Sequence, residues 1–329
     1  MKLHLNKSLF IDSVKITSQQ MDIPDIYIEK DYWVTFALYT VFNNPIGKET
    51  IFKGGTALSK CFGLIDRFSE DIDLVVHKIQ GEANNQLTKK IRNITNVVSA
   101  VLPEIEFKGI THKRGMNRKT AHSFTKLFNG EYGQVRDMIV VESTWLGSSE
   151  PYLSKKVSFL IYEMMIDTGQ KQIAEEYNLL PFNVLALKPE RTLCEKIMSL
   201  VRFSYTENAI EDLKNKVRHT YDLNQLLKNE ELSKFFESDK FDKMLLKVAN
   251  DDVESFKNNN AWLQNHPKEA KIFAELKTVW GNLQPIYSND FSKLVYGKLP
   301  EANEILNSLS KIKSRLESIE WSITISNPK

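Results

Sequence analysis

The chain has 329 residues, of which 42% are apolar and 26% charged, and its formal net charge is +2. This composition is typical of a folded globular protein and argues against a disordered chain. The length favours two domains. So small a net charge gives no reason to infer a nucleic-acid partner, which would need a local basic patch.

Nothing in the sequence indicates export or a membrane span. The two cysteines, Cys61 and Cys194, make neither a disulfide framework nor a zinc-type pair. The first residues lack the apolar stretch of a signal peptide, and the longest early apolar run, residues 33–42, is too short to cross a bilayer. We therefore expect a cytoplasmic protein that binds no membrane.

The first predicted elements alternate between helical and extended patterns. Apolar residues at helical spacing predict helices over residues 28–42, 57–65 and 86–102. A short apolar segment at 50–52 leads into a glycine pair, and residues 71–76 have the pattern of a strand with a polar start.

After the third helix the apolar period changes from helical to extended. Residues 104–110, 123–128 and 138–145 are predicted to be strands, with a turn at Asn129–Gly130. Residues 157–163 are a further candidate strand. Together with the earlier strand, these segments predict a mixed sheet.

From residue 189 the pattern is helical almost to the end, and the break before it marks a domain boundary. We predict an α+β fold in two parts. Residues 1–183 form a mixed β-sheet with flanking helices, and residues 184–329 form a helical bundle.

The first chemical motif is a glycine pair, in the sequence FKGGTALSK of residues 52–60. Gly54 and Gly55 let the backbone turn sharply and approach a ligand closely. Thr56 offers a hydroxyl at the start of a helix, where backbone N–H groups form an anion site that suits a triphosphate. The alternative is a plain strand–turn–helix connection.

The second motif is an acidic pair at the start of a predicted strand. Asp71 and Asp73 are two residues apart, so both side chains point to one face. Two such carboxylates repel unless a cation lies between them, and their hard oxygen ligands suit Mg²⁺ or Mn²⁺. The alternative is a solvated acidic strand start. A phosphate-binding turn followed by a metal-binding pair is what in-line nucleotidyl transfer requires.

A third carboxylate on a neighbouring strand would complete the metal site. Glu142 lies among apolar residues in MIVVESTW, where burying an acid without a partner is costly. Asp137 is the alternative, but it lies at the edge of the strand, where it stays solvated. Burial therefore favours Glu142.

Several of these segments match the motifs of one protein family. The segments at residues 54–60 and 67–74 are GGTALSK and RFSEDIDL. They resemble the AbiEii/AbiGii family of nucleotidyltransferase toxins, within the DNA polymerase β-like superfamily. Residues 28–33, IEKDYW, are similar to the family's N-terminal helix. Residues 189–200 and 217–223, PERTLCEKIMSL and VRHTYDL, resemble its lysine motif and its R-x-x-Y-D motif.

The resemblance implies roles for individual residues. The expected catalytic residues are Asp71, Asp73, Glu142, Lys196 and Asp222. The expected nucleotide-binding residues are Gly54, Gly55, Thr56, Lys60, Ser69 and Lys196. The expected metal ligands, for Mg²⁺ or Mn²⁺, are Asp71, Asp73 and Glu142. Physically, Lys196 can meet a β- or γ-phosphate as a point charge, oriented by Asp222; the alternative is a charge pair joining two helices.

One basic stretch bears on the acceptor of the reaction. Residues 107–130 contain six lysines or arginines, two histidines and no acid, next to the strand that carries Glu142. A loop of this kind can bind a phosphate backbone, whereas the alternative is a solvated hairpin. The expected acceptor-binding residues are Lys113, Arg114, Arg118 and Lys119.

These observations predict a metal-dependent nucleotidyltransferase. Residues 1–183 are the expected catalytic domain, and residues 184–329 contribute Lys196 and Asp222 to its cleft. An acceptor hydroxyl is expected to attack a nucleoside triphosphate. The resemblance implies the tRNA 3′ end as the preferred acceptor, because transfer to it is one activity of the family. The family implies a toxin of a toxin–antitoxin or abortive-infection system, with a separately encoded antitoxin. The alternatives are transfer to a protein or small-molecule hydroxyl, and a nucleotide-binding interaction protein without turnover.

Overall fold

The computed structural model describes residues 2–69, 71–130, 135–147, 149–257 and 259–325. The chain folds into two compact units. The first unit comprises Met1–Gly63, Phe68–Trp145 and Tyr152–Ala186. The second unit comprises Leu64–Arg67, Leu146–Pro151 and Leu187–Lys329.

The first unit is built on a mixed sheet, which has eight strands within the described residues. The strands are β1 Thr50–Lys53, β2 Ile72–Val76, β3 Glu104–Ile105, β4 His112–Lys113, β5 Asn117–His122, β6 Ile139–Thr144, β7 Tyr152–Val157 and β8 Phe182–Leu187. Their order is β3-β5-β6-β2-β1-β8-β7, and β4 also pairs with β5. The pairs β1–β8 and β2–β6 are parallel, whereas β1–β2 and β5–β6 are antiparallel.

Six α-helices accompany the sheet within the described part of this unit. They are α1 Lys7–Met21, α2 Asp25–Phe42, α3 Gly54–Phe62, α4 Asn84–Ser99, α5 Leu160–Asp167 and α6 Lys171–Glu176. In α4 the fully buried residues Leu87, Ile91, Ile94 and Val98 recur at helical spacing. This stripe packs α4 against β2, β5 and β6, and each such side chain contributes about 1.5–3 kcal/mol on burial.

Helix α2 buries three consecutive polar residues, and each has a partner. Glu29 accepts hydrogen bonds from the backbone N–H groups of residues 127 and 128, at 2.8 and 3.3 Å. Lys30 donates to the carbonyl of Arg136. Asp31 accepts from the N–H of Leu160 at 3.1 Å, at the start of α5. Since an unpaired polar group would be costly at these depths, the three side chains fix the segments they bind.

The second unit is helical. Its described α-helices are α7 Pro189–Phe203, α8 Ala209–Lys214, α9 Val217–Lys228, α10 Glu230–Phe236, α11 Asp239–Ser255, α12 Lys271–Ala274, α13 Leu276–Ile286 and α14 Ala302–Glu317. Helix α7 begins with a proline, whose missing N–H is not needed in a first turn, and it packs against α9 and α11. Among the residues described, every helix is too short or too polar to span a bilayer.

The predicted fold class is confirmed, since a mixed sheet with helices is followed by a helical unit. The units divide between Ala186 and Leu187. The functional roles given to residues 1–183 and 184–329 stay predictions.

Two predicted strands are wrong. Residues 123–128 are irregular, and the strand lies just before them in β5. Phe124 and Phe128 give this segment an apolar pattern, and both side chains are buried. However, the backbone N–H groups of residues 127 and 128 bind the Glu29 carboxylate and not a neighbouring strand. Of residues 157–163, the first is the last residue of β7, and residues 160–163 belong to α5.

Other bounds also differ from the sequence prediction. β3 is limited to Glu104–Ile105, and α3 begins at Gly54 and ends at Phe62. The predicted turn at Asn129–Gly130 runs into residues 131–134, which lie outside the described residues. β8 occupies the segment that was taken as the domain break, and its alternating buried residues are Phe182, Val184 and Ala186.

The turn from β1 into α3 passes directly beside Asp73. Gly54 has a φ of +79°, in the left-handed region that favours glycine. A Cβ added there would overlap the Asp73 Oδ2 atom. A glycine is therefore needed both for the backbone conformation and for the close approach of the carboxylate.

These two requirements can be separated by substitution. Gly81 has a φ of +88°, and a Cβ added to it would meet nothing within 4 Å. Gly81→Ala should therefore lower the free energy of unfolding by about 1 kcal/mol, through backbone strain alone. Gly54→Ala should lower it by roughly 3 kcal/mol, because Asp73 must also move. Urea unfolding measures both values, and equal losses would show that Asp73 does not constrain Gly54.

Candidate active site

Three carboxylates lie near one another on and beside the β2–β6 pair. Asp73 on β2 and Glu142 on β6 are direct partners in the parallel register. Neighbours at one level of a sheet point to the same face, so the two side chains lie together. Asp71 immediately precedes β2, two residues before Asp73. The sequence thus places three acids together through strand pairing rather than through local spacing alone.

The electrostatics of the cluster show that its negative charge is incompletely balanced. The pKa of Asp73 is raised to about 7, first by burial and then by the negative charges of Glu142 and Asp71. The positive charges of Lys53 and Lys119 act in the opposite direction. Like charges this close disfavour simultaneous ionisation unless a cation is present.

Two intramolecular cations bind the other two carboxylates. Arg136 Nη1 lies 2.9 Å from Asp71 Oδ1. Lys119 Nζ lies 3.1 Å from Glu142 Oε2, and Asn117 Nδ2 donates to Glu142 Oε1 at 3.1 Å. Burial alone would raise the pKa of Glu142, but the Lys119 charge and these hydrogen bonds hold it below its usual value.

The donor set of the cluster fits a hard divalent cation. Its oxygens are carboxylates, and the raised pKa of Asp73 marks a deficit of positive charge. No three His, Cys, Asp or Glu side chains of the described residues are already gathered into a metal-binding geometry. Arg136 and Lys119 hold carboxylate oxygens that such a cation would take, so metal binding involves displacing those contacts.

The structure brings Glu142, and not Asp137, to the two aspartates. Asp137 precedes β6 and forms an ion pair with Lys126. Its side chain is 53% exposed. The hydrogen bond from Lys126 lowers the pKa of Asp137, so this carboxylate is already compensated at the surface.

The glycine turn is tied to the acidic pair by hydroxyls. Thr56, in the first turn of α3, donates to the carbonyl of Asp71 at 2.6 Å. Its Oγ1 is also 3.0 Å from Ser69 Oγ. Because a carbonyl only accepts, the Thr56 proton is used there, and Ser69 must donate to Thr56. Thr56 is buried, and its hydrogen bond holds Asp71 against the start of the helix. The expected contact of Thr56 and Ser69 with a nucleotide stays a prediction.

Lys60 is not brought together with the carboxylates. Its Nζ lies 2.5 Å from Asp31 Oδ1 and donates to the carbonyl of Ser158 at 3.2 Å. Both charged side chains of the pair are 9% exposed. In this arrangement Lys60 joins α3 to α2.

The second unit holds a separate charged cluster around Asp222, which is fully buried. Arg67 binds both carboxylate oxygens, with Nε and Nη2 each at 2.7 Å. Lys196 Nζ lies 2.6 Å from Oδ2. Burial would raise the pKa of Asp222, but these two cations hold it well below its usual value. Asp222 therefore binds Arg67 in addition to Lys196.

Lys196 is a buried cation that shares its carboxylate partner, Asp222, with Arg67. Its other close neighbour is His219 Nδ1, at 3.4 Å. Burial lowers the pKa of Lys196, and burial together with the Lys196 charge lowers the pKa of His219 well below its usual value. His219 is therefore a neutral neighbour and does not balance the lysine.

Part of the basic stretch is a hairpin. Residues 112–113 and 117–122 form the antiparallel strands β4 and β5, with Lys113 paired to Arg118 in register. Lys113 binds Glu104 at 2.5 Å, and Arg118 donates to Thr95 Oγ1 at 3.2 Å. The four predicted acceptor residues divide accordingly. Lys119 belongs to the carboxylate cluster, whereas Lys113 and Arg114 are exposed.

Sequence reasoning missed four residues that contact these clusters or act on them electrostatically. They are Lys53, Arg67, Asn117 and Arg136. Two signals were available: Arg67 begins RFSEDIDL, and Lys53 directly precedes the glycine pair. Neither Asn117 nor Arg136 belongs to a motif, so only the fold reveals them.

A comparison with protein-family models identifies one family. The model of the family described as "Nucleotidyl transferase AbiEii toxin, Type IV TA system" matches residues 37–303. A search among curated proteins finds no significant match.

Two solved structures show distant similarity. MenT4, a nucleotidyltransferase toxin from Mycobacterium tuberculosis H37Rv, is 16% identical with a TM-score of 0.41, over 91% of this chain and 98% of that one. A putative nucleotidyltransferase from H. pylori is 17% identical with a TM-score of 0.34, over 77% of this chain and 96% of that one. Both identities and scores are low, so the family is assigned from the sequence match alone. The chain belongs to the AbiEii family of nucleotidyltransferase toxins of type IV toxin–antitoxin systems.

Proposed function

We propose that this toxin transfers a nucleoside monophosphate from a nucleoside triphosphate to an RNA 3′ hydroxyl, preferably of tRNA, with Mg²⁺ as cofactor. Family membership provides the reaction class, the triphosphate substrate and the existence of an antitoxin. The metal, the acceptor and the residue roles are the proposal. The observation that carries it is the Asp71–Asp73–Glu142 cluster, with Asp73 and Glu142 paired across parallel strands.

In this mechanism the acceptor oxygen forms a bond to the α-phosphorus. The bond from that phosphorus to the bridging oxygen breaks, pyrophosphate leaves, and the hydroxyl proton passes to solvent. Asp71, Asp73 and Glu142 would hold a divalent cation, which would neutralise part of the charge of the triphosphate. The backbone N–H groups of Gly54 and Gly55, at the start of α3, bind phosphate oxygens. Asn117 orients Glu142 through its hydrogen bond.

The carboxylate assignment predicts a clear difference between acids. Asp73→Asn and Glu142→Gln should each reduce transfer at least about 100-fold, because each removes a charge that holds the cation. Asp137→Asn should transfer at the parent rate, since Asp137 is paired at the surface. The assay incubates each variant with each labelled triphosphate, Mg²⁺ and total RNA or lysate. Transfer by Asp73→Asn at the parent rate would contradict the assignment, provided that melting curves show all variants folded.

Lys196 is proposed to bind a phosphate of the nucleotide. An ammonium has three donors, and Asp222 and His219 together take at most two of those of Lys196. The carboxylate is shared with Arg67, so a phosphate would supply the charge that Lys196 lacks. The alternative is a purely structural pair between α7 and α9.

Lys196→Met distinguishes these roles because it keeps the length of the side chain and removes the charge. The KM for the triphosphate should rise at least about tenfold, and Lys196→Arg should recover little, since a planar fork is not a point charge. The control is Lys228→Met, whose side chain is 48% exposed and paired to Glu304. An unchanged KM in Lys196→Met would reduce Lys196 to a structural residue.

The preference for RNA rests on the exposed end of the β4–β5 hairpin. Lys113 and Arg114 are exposed there, and Lys108 is exposed in the turn that precedes β4. Five residues after Arg114, on β5, Lys119 contacts Glu142. Thus the hairpin connects a basic surface to the carboxylate cluster within one unit. A phosphate backbone lying on this surface would release counterions, which makes its affinity depend on salt.

Replacing the exposed basic residues tests this surface. The triple variant Lys108→Ala, Lys113→Ala, Arg114→Ala should flatten the plot of log affinity for tRNA against log salt by about 0.7–0.9 per lost phosphate contact. The KM for the triphosphate should stay unchanged. RNA binding at several salt concentrations measures the slope.

The control variant has the same change of net charge at sites remote from the hairpin in sequence. It replaces Lys171, Lys234 and Lys257, which are 69%, 73% and 67% exposed, by alanine. Equal salt-dependence slopes for the parent and the hairpin variant would show that RNA does not bind this surface, and would favour a protein or small-molecule acceptor. If the protein binds a triphosphate but transfers label to neither RNA nor any component of the lysate, the result would favour the non-catalytic alternative.

A further inference from the structure

Arg136 has a fixed backbone and an accessible side chain. Its carbonyl accepts a hydrogen bond from Lys30, which is fully buried in α2. The neighbouring residue of α2, Glu29, binds the backbone at residues 127 and 128. The Arg136 side chain remains 32% exposed and reaches Asp71 Oδ1 at 2.9 Å.

A metal and Arg136 compete for the same carboxylate. A hard cation at the cluster needs the oxygens of Asp71, and its charge repels a guanidinium at contact distance. Because the backbone of Arg136 is anchored, the displaced side chain stays within its own length of the cluster. There its forked, planar donors match the geometry of a phosphate.

The position of Asp71 indicates which bound phosphate group Arg136 would contact. Its carbonyl is bonded to Thr56 in the first turn of α3, where the triphosphate is proposed to bind. We infer that Arg136 is the counterion of Asp71 in the metal-free protein and a triphosphate ligand once the metal is bound. This inference rests on the proposed function, since it uses the proposed metal and nucleotide sites.

Such an exchange predicts effects of opposite sign. Without the guanidinium, Asp71 is free for the metal, so metal binding becomes tighter. The triphosphate loses a ligand, so its binding becomes weaker. A residue that only maintained the local structure would weaken both. The direction of the change in metal affinity therefore separates the two roles.

The experiment measures binding and needs no acceptor. Mn²⁺ affinity is followed by the electron paramagnetic resonance signal of free Mn²⁺. Affinity for inorganic tripolyphosphate is measured by calorimetry at saturating Mg²⁺. Arg136→Gln should bind Mn²⁺ about tenfold more tightly and tripolyphosphate about tenfold more weakly, a change of about 1.4 kcal/mol in each case.

Three further variants make the result specific. Arg136→Lys keeps the charge, so its Mn²⁺ affinity should stay near the parent value. Lys119→Gln removes the cation from Glu142 and should also bind Mn²⁺ more tightly. Lys126→Gln removes a cation from Asp137, outside the cluster, and should change neither affinity. Melting curves for all variants establish that they are folded.

The inference is overturned if Arg136→Gln binds Mn²⁺ no more tightly than the parent, or if it binds tripolyphosphate equally well. It is also overturned if the parent binds no tripolyphosphate. These outcomes are independent of the acceptor. Transfer to RNA without the opposite shifts refutes only the exchange. The opposite shifts without transfer to RNA refute only the proposed acceptor.

Discussion

The repulsion among Asp71, Asp73 and Glu142 is the constraint on which the first unit depends. Parallel pairing of β2 with β6 forces two of these acids side by side. A folded chain gains nothing in stability from such an arrangement, and the raised pKa of Asp73 shows the cost. Intramolecular cations offset part of it, at Asp71 and at Glu142. A site that conflicts with its own stability is typical of one shaped for a ligand.

The cluster is held by polar groups buried elsewhere in the same unit. Helix α2 binds three different segments through Glu29, Lys30 and Asp31. One of these segments carries Arg136, and another begins α5. Buried polar groups of this kind contribute little net stability, but breaking one leaves its partner unsatisfied. These directional hydrogen bonds therefore fix the position of irregular backbone segments. Hydrophobic contacts alone would not fix it, because they have no directional preference.

Sequence analysis predicted the parts of this site that have local signals. The same-face placement of Asp73 follows from strand period, and Glu142 was favoured over Asp137 by the cost of burial. The glycine pair was identified from its freedom to turn, although its close approach is to Asp73 itself. Each of these inferences uses residues within a few positions of one another.

The features that were missed depend on contacts between distant segments. β5 was placed too late because the irregular segment after it is apolar, and its backbone bonds go to α2. β8 was taken for a break although it has six residues, as many as β5, β6 and β7. The pairs of Arg136 with Asp71 and of Arg67 with Asp222 join residues 65 and 155 positions apart. No periodicity encodes a contact over such distances.

Each unit holds a charged group that is buried beside charges of its own sign. In the first unit, the pKa of Asp73 is raised by burial and then by the negative charges of Glu142 and Asp71. In the second unit, Lys196 is a buried cation that shares its carboxylate with Arg67 and has a neutral histidine beside it. Crowded acids favour a bound cation, and a buried lysine beside a second cation favours a bound anion. Taken by itself, each unit therefore has the electrostatics of a site shaped for a ligand of opposite charge.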